Sequence, residues 1–399
     1  MPSSKGSSRA IAGHAVVGLA VLIVLSTGKP SRAEKRPSLE RQLAVLLQVE
    51  KEGDGNVAAS KAWQDVAAAD GEALPQVLSA LDRAQPLAAN WIATAAEKIA
   101  EGTRTAGKQL PVAALKSFVL DTEHAPRARR LAFEWLRVDD DQVAAALVPG
   151  FLYDPSPELR REAVARLLDE AAAKKADGAD QESLGKLYRE ALSGACDLDQ
   201  VKVVKAELEK LGEEVDLARH FGFLTNWKVI GPFDNLGERG FDVAYPPEKE
   251  VNFTAVYEGK PRDGAARKVE WRDTSTQDEF GIVDLNKILD KENGVVAYAW
   301  TEFWSDSQRP AELRIGRDNA AKIWLNGKLI EAHRVYHSGV DMDQYTGRGT
   351  LERGRNTILL KVLQNEQKEE WAQGWAFQLR VCDSTGQAIH SVDAPEAEK

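Results

Sequence analysis

The chain has 399 residues, 43% of them hydrophobic and 29% charged, with a formal net charge of -10. That length is enough for two or three domains, and that composition buries sizeable cores, which excludes global disorder. The acidic balance excludes nucleic acid and anionic membrane surfaces as partners, because binding either needs a basic surface.

Residues 1–33 read as an export signal. Lys5 and Arg9 form a short positive region, Ala10 to Leu25 is mostly apolar, and Ser31-Arg32-Ala33 offers small residues at a cleavage site. The expected destination is the periplasm or the exterior. An uncleaved N-terminal anchor is the alternative, although a span needs about 20 apolar residues. Cleavage would remove four basic residues and take the net charge from -10 to -14. No later segment is long and apolar enough to span a membrane, so no insertion is expected after cleavage.

From residue 38 to about 220, Ala, Leu, Glu and Arg dominate at helical spacing. Leu39, Leu43, Leu46 and Leu47 share one face. Further helices are expected over Lys61–Ala68, Leu74–Leu81, Asn90–Glu101 and Pro111–Leu120. Two similar helix starts then follow 31 residues apart, Pro126-Arg127-Ala128-Arg129-Arg130 and Pro157-Glu158-Leu159-Arg160-Arg161, with a partner helix over Val143–Leu152 between them. Asp154 or Ser156 can cap the second, Pro157 fits its first turn, and Leu159, Ala163, Val164, Leu167 and Leu168 make its buried stripe. Residues 180–218 read as two closing helices. Glu158, Arg160, Arg161 and Glu162 are expected on a solvated face.

After residue 221 the pattern changes to alternation and turns. A first strand is expected to end at Gly231-Pro232, because Pro cannot donate to a ladder. An irregular stretch follows to about Arg267. Strands are then expected over Val269–Arg272, Val295–Trp304, Ala311–Gly316, Ala320–Asn326, Lys328–Ala332, Gly347–Leu351, Asn356–Gln364 and Gly374–Val381, with Asn326-Gly327 as a hairpin turn. This spacing suggests an all-β sandwich over 222–392. Residues 393–399 read as a disordered tail.

Two resemblances add to this reading. The Asp154 turn followed by Arg160 or Arg161 and Ala163 resembles HEAT repeats, which implies a stack of helix pairs presenting a continuous surface for partners. Ile315 to Lys328, with Gly316, Asp318 and Asn326-Gly327, together with Leu351 to Val362, resembles galactose-binding-like jelly rolls. Trp227 to Phe233 resembles the opening of such domains in secreted planctomycete-type proteins, some of which also carry HEAT-like repeats. The implied fold class is multidomain α and β: an N-terminal α-helical solenoid (HEAT-like) followed by an antiparallel jelly-roll β-sandwich. One departure is Asn319, which stands where the family pattern has a second acid.

The sequence carries no GxSxG, HExxH or Walker A motif, and Ser183 to Lys186 matches SxxK without the KTG that would accompany it. We therefore expect no enzyme. His333 and His337 sit in a strand-turn segment whose spacing does not converge two imidazoles. Asp341 and Asp343 are either a solvated loop or ligands of a structural Ca²⁺; no other cofactor is expected. Cys196 and Cys382 are either free thiols or a staple between the two halves. Seven of the ten tryptophans lie in the β half. Trp300, Trp304 and Trp324 alternate within strands and read as core, whereas Trp371 follows a polar run and is expected at the surface, where an indole stacks on a sugar ring. The candidate ligand-binding residues are Asp318, Asn326 and Trp371. The expected function is an exported, non-catalytic binding protein that takes carbohydrate through the sandwich. The alternative is a scaffold that binds a protein partner through its repeats, with the sandwich structural.

Overall fold

The computed structural model describes residues 38–50 and 54–394. The expected export signal and all but two residues of the expected tail lie outside them. A helical region precedes an antiparallel β-sheet region.

The helices are α1 (Leu39–Leu46), α2 (Asn56–Ala67), α3 (Leu74–Ser79), α4 (Pro86–Thr105), α5 (Val112–Leu120), α6 (Pro126–Asp139), α7 (Asp141–Leu147), α8 (Pro157–Ala176), α9 (Gln181–Gly194), α10 (Leu198–Lys210) and α11 (Leu217–Phe221). Their starts follow local chemistry. Pro opens α4, α6 and α8, where its missing N–H costs nothing. Ser156, Asp180 and Asp216 accept a backbone N–H of the first turn of α8, α9 and α11. Short loops bring consecutive helices side by side, α5 with α6 and α8 with α9, around one continuous apolar core. Arg129, 1% exposed, donates both terminal nitrogens to Asp154 at 2.7 Å and its Nε to Val119 O, tying α6 to the turn before α8.

The sheet region holds β1 (Asn226–Asp234), α12 (Pro246–Lys249), β2 (Tyr257–Arg262), β3 (Ala265–Val269), β4 (Arg272–Ser275), β5 (Val283–Asp284), α13 (Leu285–Leu289), β6 (Val295–Ser305), β7 (Arg309–Arg317), β8 (Ala321–Leu325), β9 (Lys328–His333), β10 (Tyr345–Leu351), β11 (Gly354–Gln364) and β12 (Ala376–Cys382). A six-stranded sheet runs β4-β1-β6-β11-β8-β9, and a four-stranded sheet runs β10-β7-β12-β5. Alternate residues of both, among them Ala297, Phe303, Leu313, Ile323, Leu360 and Leu379, fill the space between them.

Three expectations change. β1 continues through Gly231-Pro232 to Asp234, because its register against β6 shifts between Ile230 and Phe233 and a proline there donates nothing the ladder needs. The expected strand Val269–Arg272 is a break between β3 and β4. The stretch after Asp234 contains α12 and the β2–β3 hairpin, and it covers the outer face of the six-stranded sheet. That cover makes a second core of Ile230, Phe233, Val296, Tyr298 and Trp300, with Tyr245, Val251 and Trp324 packed on it. Trp300 and Trp324 therefore belong to this outer core and not to the space between the sheets, and Trp304 shares their face.

The two regions meet across packed contacts. Phe221 and Phe223 both belong to the helical core, while Leu224 N donates to Leu379 O at 2.9 Å and Val381 N to Gly222 O at 3.0 Å, so the connecting chain runs as an added strand beside β12. Arg380, 1% exposed, donates to Phe221 O and Gly386 O and is held by Asp343 through Nε–Oδ1 at 2.7 Å and Nη2–Oδ2 at 2.5 Å. Arg160 is not on a solvated face: it is 5% exposed and donates from Nη1 to Cys196 Sγ at 3.1 Å and to Gln387 Oε1 at 3.0 Å. Arg161 and Glu162 pair instead with Asp197, Asp199 and Arg130. Cys196 and Cys382 are both free thiols.

Candidate functional site

The ends of β1, β7, β9 and β11 and the starts of β6, β8, β10 and β12 lie at one end of the sandwich, where the loops 235–241, 318–320, 334–344 and 365–375 converge. Buried amides hold them together. Asn319, fully buried, donates from Nδ2 to Gly374 O at 2.7 Å and accepts from His337 N at 3.1 Å. A carboxylate could not donate the first of these bonds, so the position takes an amide. Asn235 donates to Gln364 O and to Tyr336 Oη, and Gln364 donates to Ala372 O and Gly374 O. Arg317, fully buried, donates to the carbonyls of Asn319, His333 and Val335 and lies 4.1 Å over the Tyr345 ring.

On this frame Trp371 stands 68% exposed. The His337 ring meets it edge to face at 5.2 Å, and His337 Nε2 lies 3.1 Å from Asn365 Oδ1. Asn365 Nδ2 faces Gln367 Oε1 at 3.3 Å and Glu238 Oε1 at 3.5 Å. Asp318 stands at the same end of the sandwich, against Gly374 and Ala376. Ala376 N donates to its Oδ2 at 2.9 Å, and no donor among the described residues reaches Oδ1. Gly374 passes so close that a β-carbon there would sit 2.7 Å from the Asp318 carboxyl carbon, so only glycine leaves this carboxylate its place. Burial pushes the Asp318 carboxyl above its ordinary value, with the neighbouring Asp284 adding to the rise and the Ala376 N–H and His337 opposing it. The result is an exposed indole propped on an imidazole, at the end of the sandwich that also carries the unspent Oδ1 of Asp318. Such a surface can stack one ring and hydrogen-bond its hydroxyls.

Asp318 and Trp371 thus reach the same end of the sandwich. Asn326 does not: it sits beyond the far end of β8. Its φ of 51° and the 77° of Gly327 form the hairpin turn, and its amide is engaged by Asn356 Oδ1 at 2.8 Å and by Thr357 N at 2.9 Å. Its surroundings are those of a turn residue, with both sides of the amide spent. His333 and His337 diverge, the first to Glu331 and Tyr345, the second to Asn365 and Trp371. Asp343 lies in the 334–344 loop but is not free for a cation, since Arg380 and Arg314 occupy both its oxygens. Among the described residues no group of three or more His, Cys, Asp or Glu is placed to hold a metal ion.

Sequence reasoning missed a second concavity of about 710 Å³, walled by Phe253 and Trp300 and lined by Lys228, Asp273, Thr274 and Ser275. Phe253 carries no signal of its own in the sequence, because it lies on the chain segment that covers the outer sheet face.

No family model matches the chain, and no curated protein matches it. Among solved structures it is similar to a family 35 carbohydrate binding module from an environmental isolate, at 20% identity over 26% of this chain and 76% of that one, with a TM-score of 0.19. It is also similar to a β-glucosidase from Kluyveromyces marxianus, at 14% identity over 39% of this chain and a TM-score of 0.24, where it spans 17% of that protein's length. A third is an anti-sigma factor domain-containing protein from Clostridium clariflavum, at 15% identity over 44% of this chain and 49% of that one, with a TM-score of 0.22. Each is a partial likeness.

Proposed function

We propose that the chain is an exported, non-catalytic carbohydrate-binding protein whose sandwich presents the Trp371 surface to a sugar ring, with the helical region as a rigid HEAT-like support. The observation that carries this reading is the exposed indole of Trp371, propped edge to face on His337, whose other side is held by Asn365, at the end of the sandwich that also carries Asp318. An exposed tryptophan that contributes little to a core, on loops locked by buried amides, is pre-organised for stacking, and pre-organisation lowers the entropic cost of binding. Export follows from the N-terminal sequence pattern alone.

The test is binding of the whole chain to an immobilised panel of plant, fungal and bacterial glycans, wild type against Trp371→Ala. The isolated sandwich is unsuitable, because cutting at residue 222 would expose Phe223, Phe280 and Met342, which pack on the helices. The expected result is a hit whose affinity falls roughly five- to hundredfold in Trp371→Ala, with the worth of a base stacked on an aromatic side chain, about 1–3 kcal/mol, as the scale. A blank panel from folded protein refutes the reading and turns attention to a protein partner on the helices.

A further inference from the structure

The six-stranded sheet has a gap. β1 pairs with β4 down to Asn226↔Ser275, and β6 pairs with β11 up to Ser305↔Gly354, but β1 and β6 pair with each other only from Lys228↔Trp300 onward. Between Asn226–Trp227 and Thr301–Phe303 no ladder pair joins the two strands. Beyond the gap the C-terminal segment takes over: Trp304 N donates to Ser391 Oγ and Val392 N to Trp304 O, both at 2.9 Å. Strand groups alternate with a period of two, so Glu302 presents its N–H and C=O to the same side as Trp304. No ladder partner stands opposite it among the described residues, and only the Thr301 hydroxyl reaches its carbonyl, at 3.5 Å.

Two concavities open from this gap and share Asn226, Thr301 and Glu302. One is the Phe253–Trp300 groove of about 710 Å³. The other, about 510 Å³, runs to the domain junction, where Arg219 and His390 line it. Phe253 is 38% exposed and braced on Trp300 at 4.7 Å and Trp271 at 5.6 Å, so it offers a fixed aromatic wall. The charges along the first groove are already paired, Lys228 with Asp273 and Arg355 with Glu302, each at 2.5 Å. What is left to a ligand is hydroxyl, amide and main-chain hydrogen bonding beside an apolar face.

We propose that this groove is a second binding site, for a neutral polyhydroxylated chain that lies across the junction of the two regions. A neutral ligand fits because no cation in the first groove is free to hold an anion. A carbohydrate fits better than a peptide strand, because strand addition needs a run of alternating free N–H and C=O groups and the gap offers one residue's worth. A chain of several rings fits better than one ring, because the two concavities are continuous. Glu302, Asn226 and the hydroxyls of Thr274 and Ser275 are the contacts that orient it. The site is separate from the Trp371 surface and does not depend on it.

Calorimetric titration of the whole chain with length series of soluble cello-, xylo- and manno-oligosaccharides tests this. The variants are Ser275→Arg, Phe253→Ala and Trp371→Ala. Ser275 is exposed and its arginine would fill the groove without touching a core. The expected result is an affinity for at least one series that rises from monomer to hexamer, drops tenfold or more in Ser275→Arg, and keeps its length dependence in Trp371→Ala. If Phe253→Ala fails to fold, Ser275→Arg alone decides. The proposal is overturned if folded Ser275→Arg binds long chains as wild type does, if length dependence disappears in Trp371→Ala, or if no series binds at all.

Discussion

Lys361 is fully buried on the outer face of β11, and its ammonium is the anchor of the chain segment that covers that face. Its Nζ donates to Glu248 Oε1 at 2.6 Å, to Val243 O at 2.7 Å and to Phe241 O at 3.4 Å, and Tyr298 Oη donates to the same Glu248 oxygen at 2.5 Å. Glu248→Gln keeps the shape and removes the negative charge. Removing one partner of a buried ion pair costs about 3–5 kcal/mol. The two carbonyls still hold the ammonium, so the lower end applies, about 3 kcal/mol, or roughly a hundredfold in the folding constant. The double variant Glu248→Gln with Lys361→Met leaves no unpaired charge and is expected to be more stable than Glu248→Gln alone, by about 1–2 kcal/mol. Urea unfolding followed by tryptophan fluorescence measures both, because Trp300 and Trp324 lie under the cover. Burial also holds the Lys361 ammonium below its ordinary value, with the Glu248 carboxylate pulling the other way. The folded state therefore binds fewer protons than the unfolded chain in the window below 10.5, and wild type should gain stability relative to the double variant as pH rises through that window. A Glu248→Gln variant within about 0.5 kcal/mol of wild type, the level of an ordinary surface change, or a double variant costing the sum of the singles, would refute the argument.

Other outcomes follow from the same kind of reasoning. Asp318→Asn keeps an acceptor for the Ala376 N–H and relieves a carboxylate that burial disfavours, so at pH 7 the variant should be at least as stable as wild type while glycan affinity falls. In wild type that affinity should weaken as pH drops through a value above the ordinary 3.8, read by titration calorimetry across pH. Burial raises the Asp343 carboxyl, but the hydrogen bonds and charges of Arg380 and Arg314 outweigh this and leave it lowered. Its contribution to the junction should be complete above about 3.8 and lost as pH falls through its lower folded value. Asp343→Ala should cost about 3 kcal/mol in thermal or urea unfolding, because Arg380 is left buried without its carboxylate.

Much of this architecture was legible from residue order. Helical spacing of Leu and Ala, Pro at helix starts and Asp or Ser at caps are local effects, and they placed the helices between Leu39 and Lys210. Alternation placed β6 to β12 within a few residues, and Asn326-Gly327 declared its turn, because backbone conformation there depends on the two residues themselves. Trp371 could be expected at the surface from the polar run before it. What periodicity reports is which residues share a face, and it is silent on what covers that face. Only the folded chain put the 235–270 segment over Trp300 and Trp324, carried Arg160 into the junction with Gln387, and gave Asn319 a donor's task that an acid could not perform. Only it opened the ladder between Asn226 and Glu302. Each of these rests on partners distant in sequence, whose proximity is decided by how the two sheets and the helices close on one another.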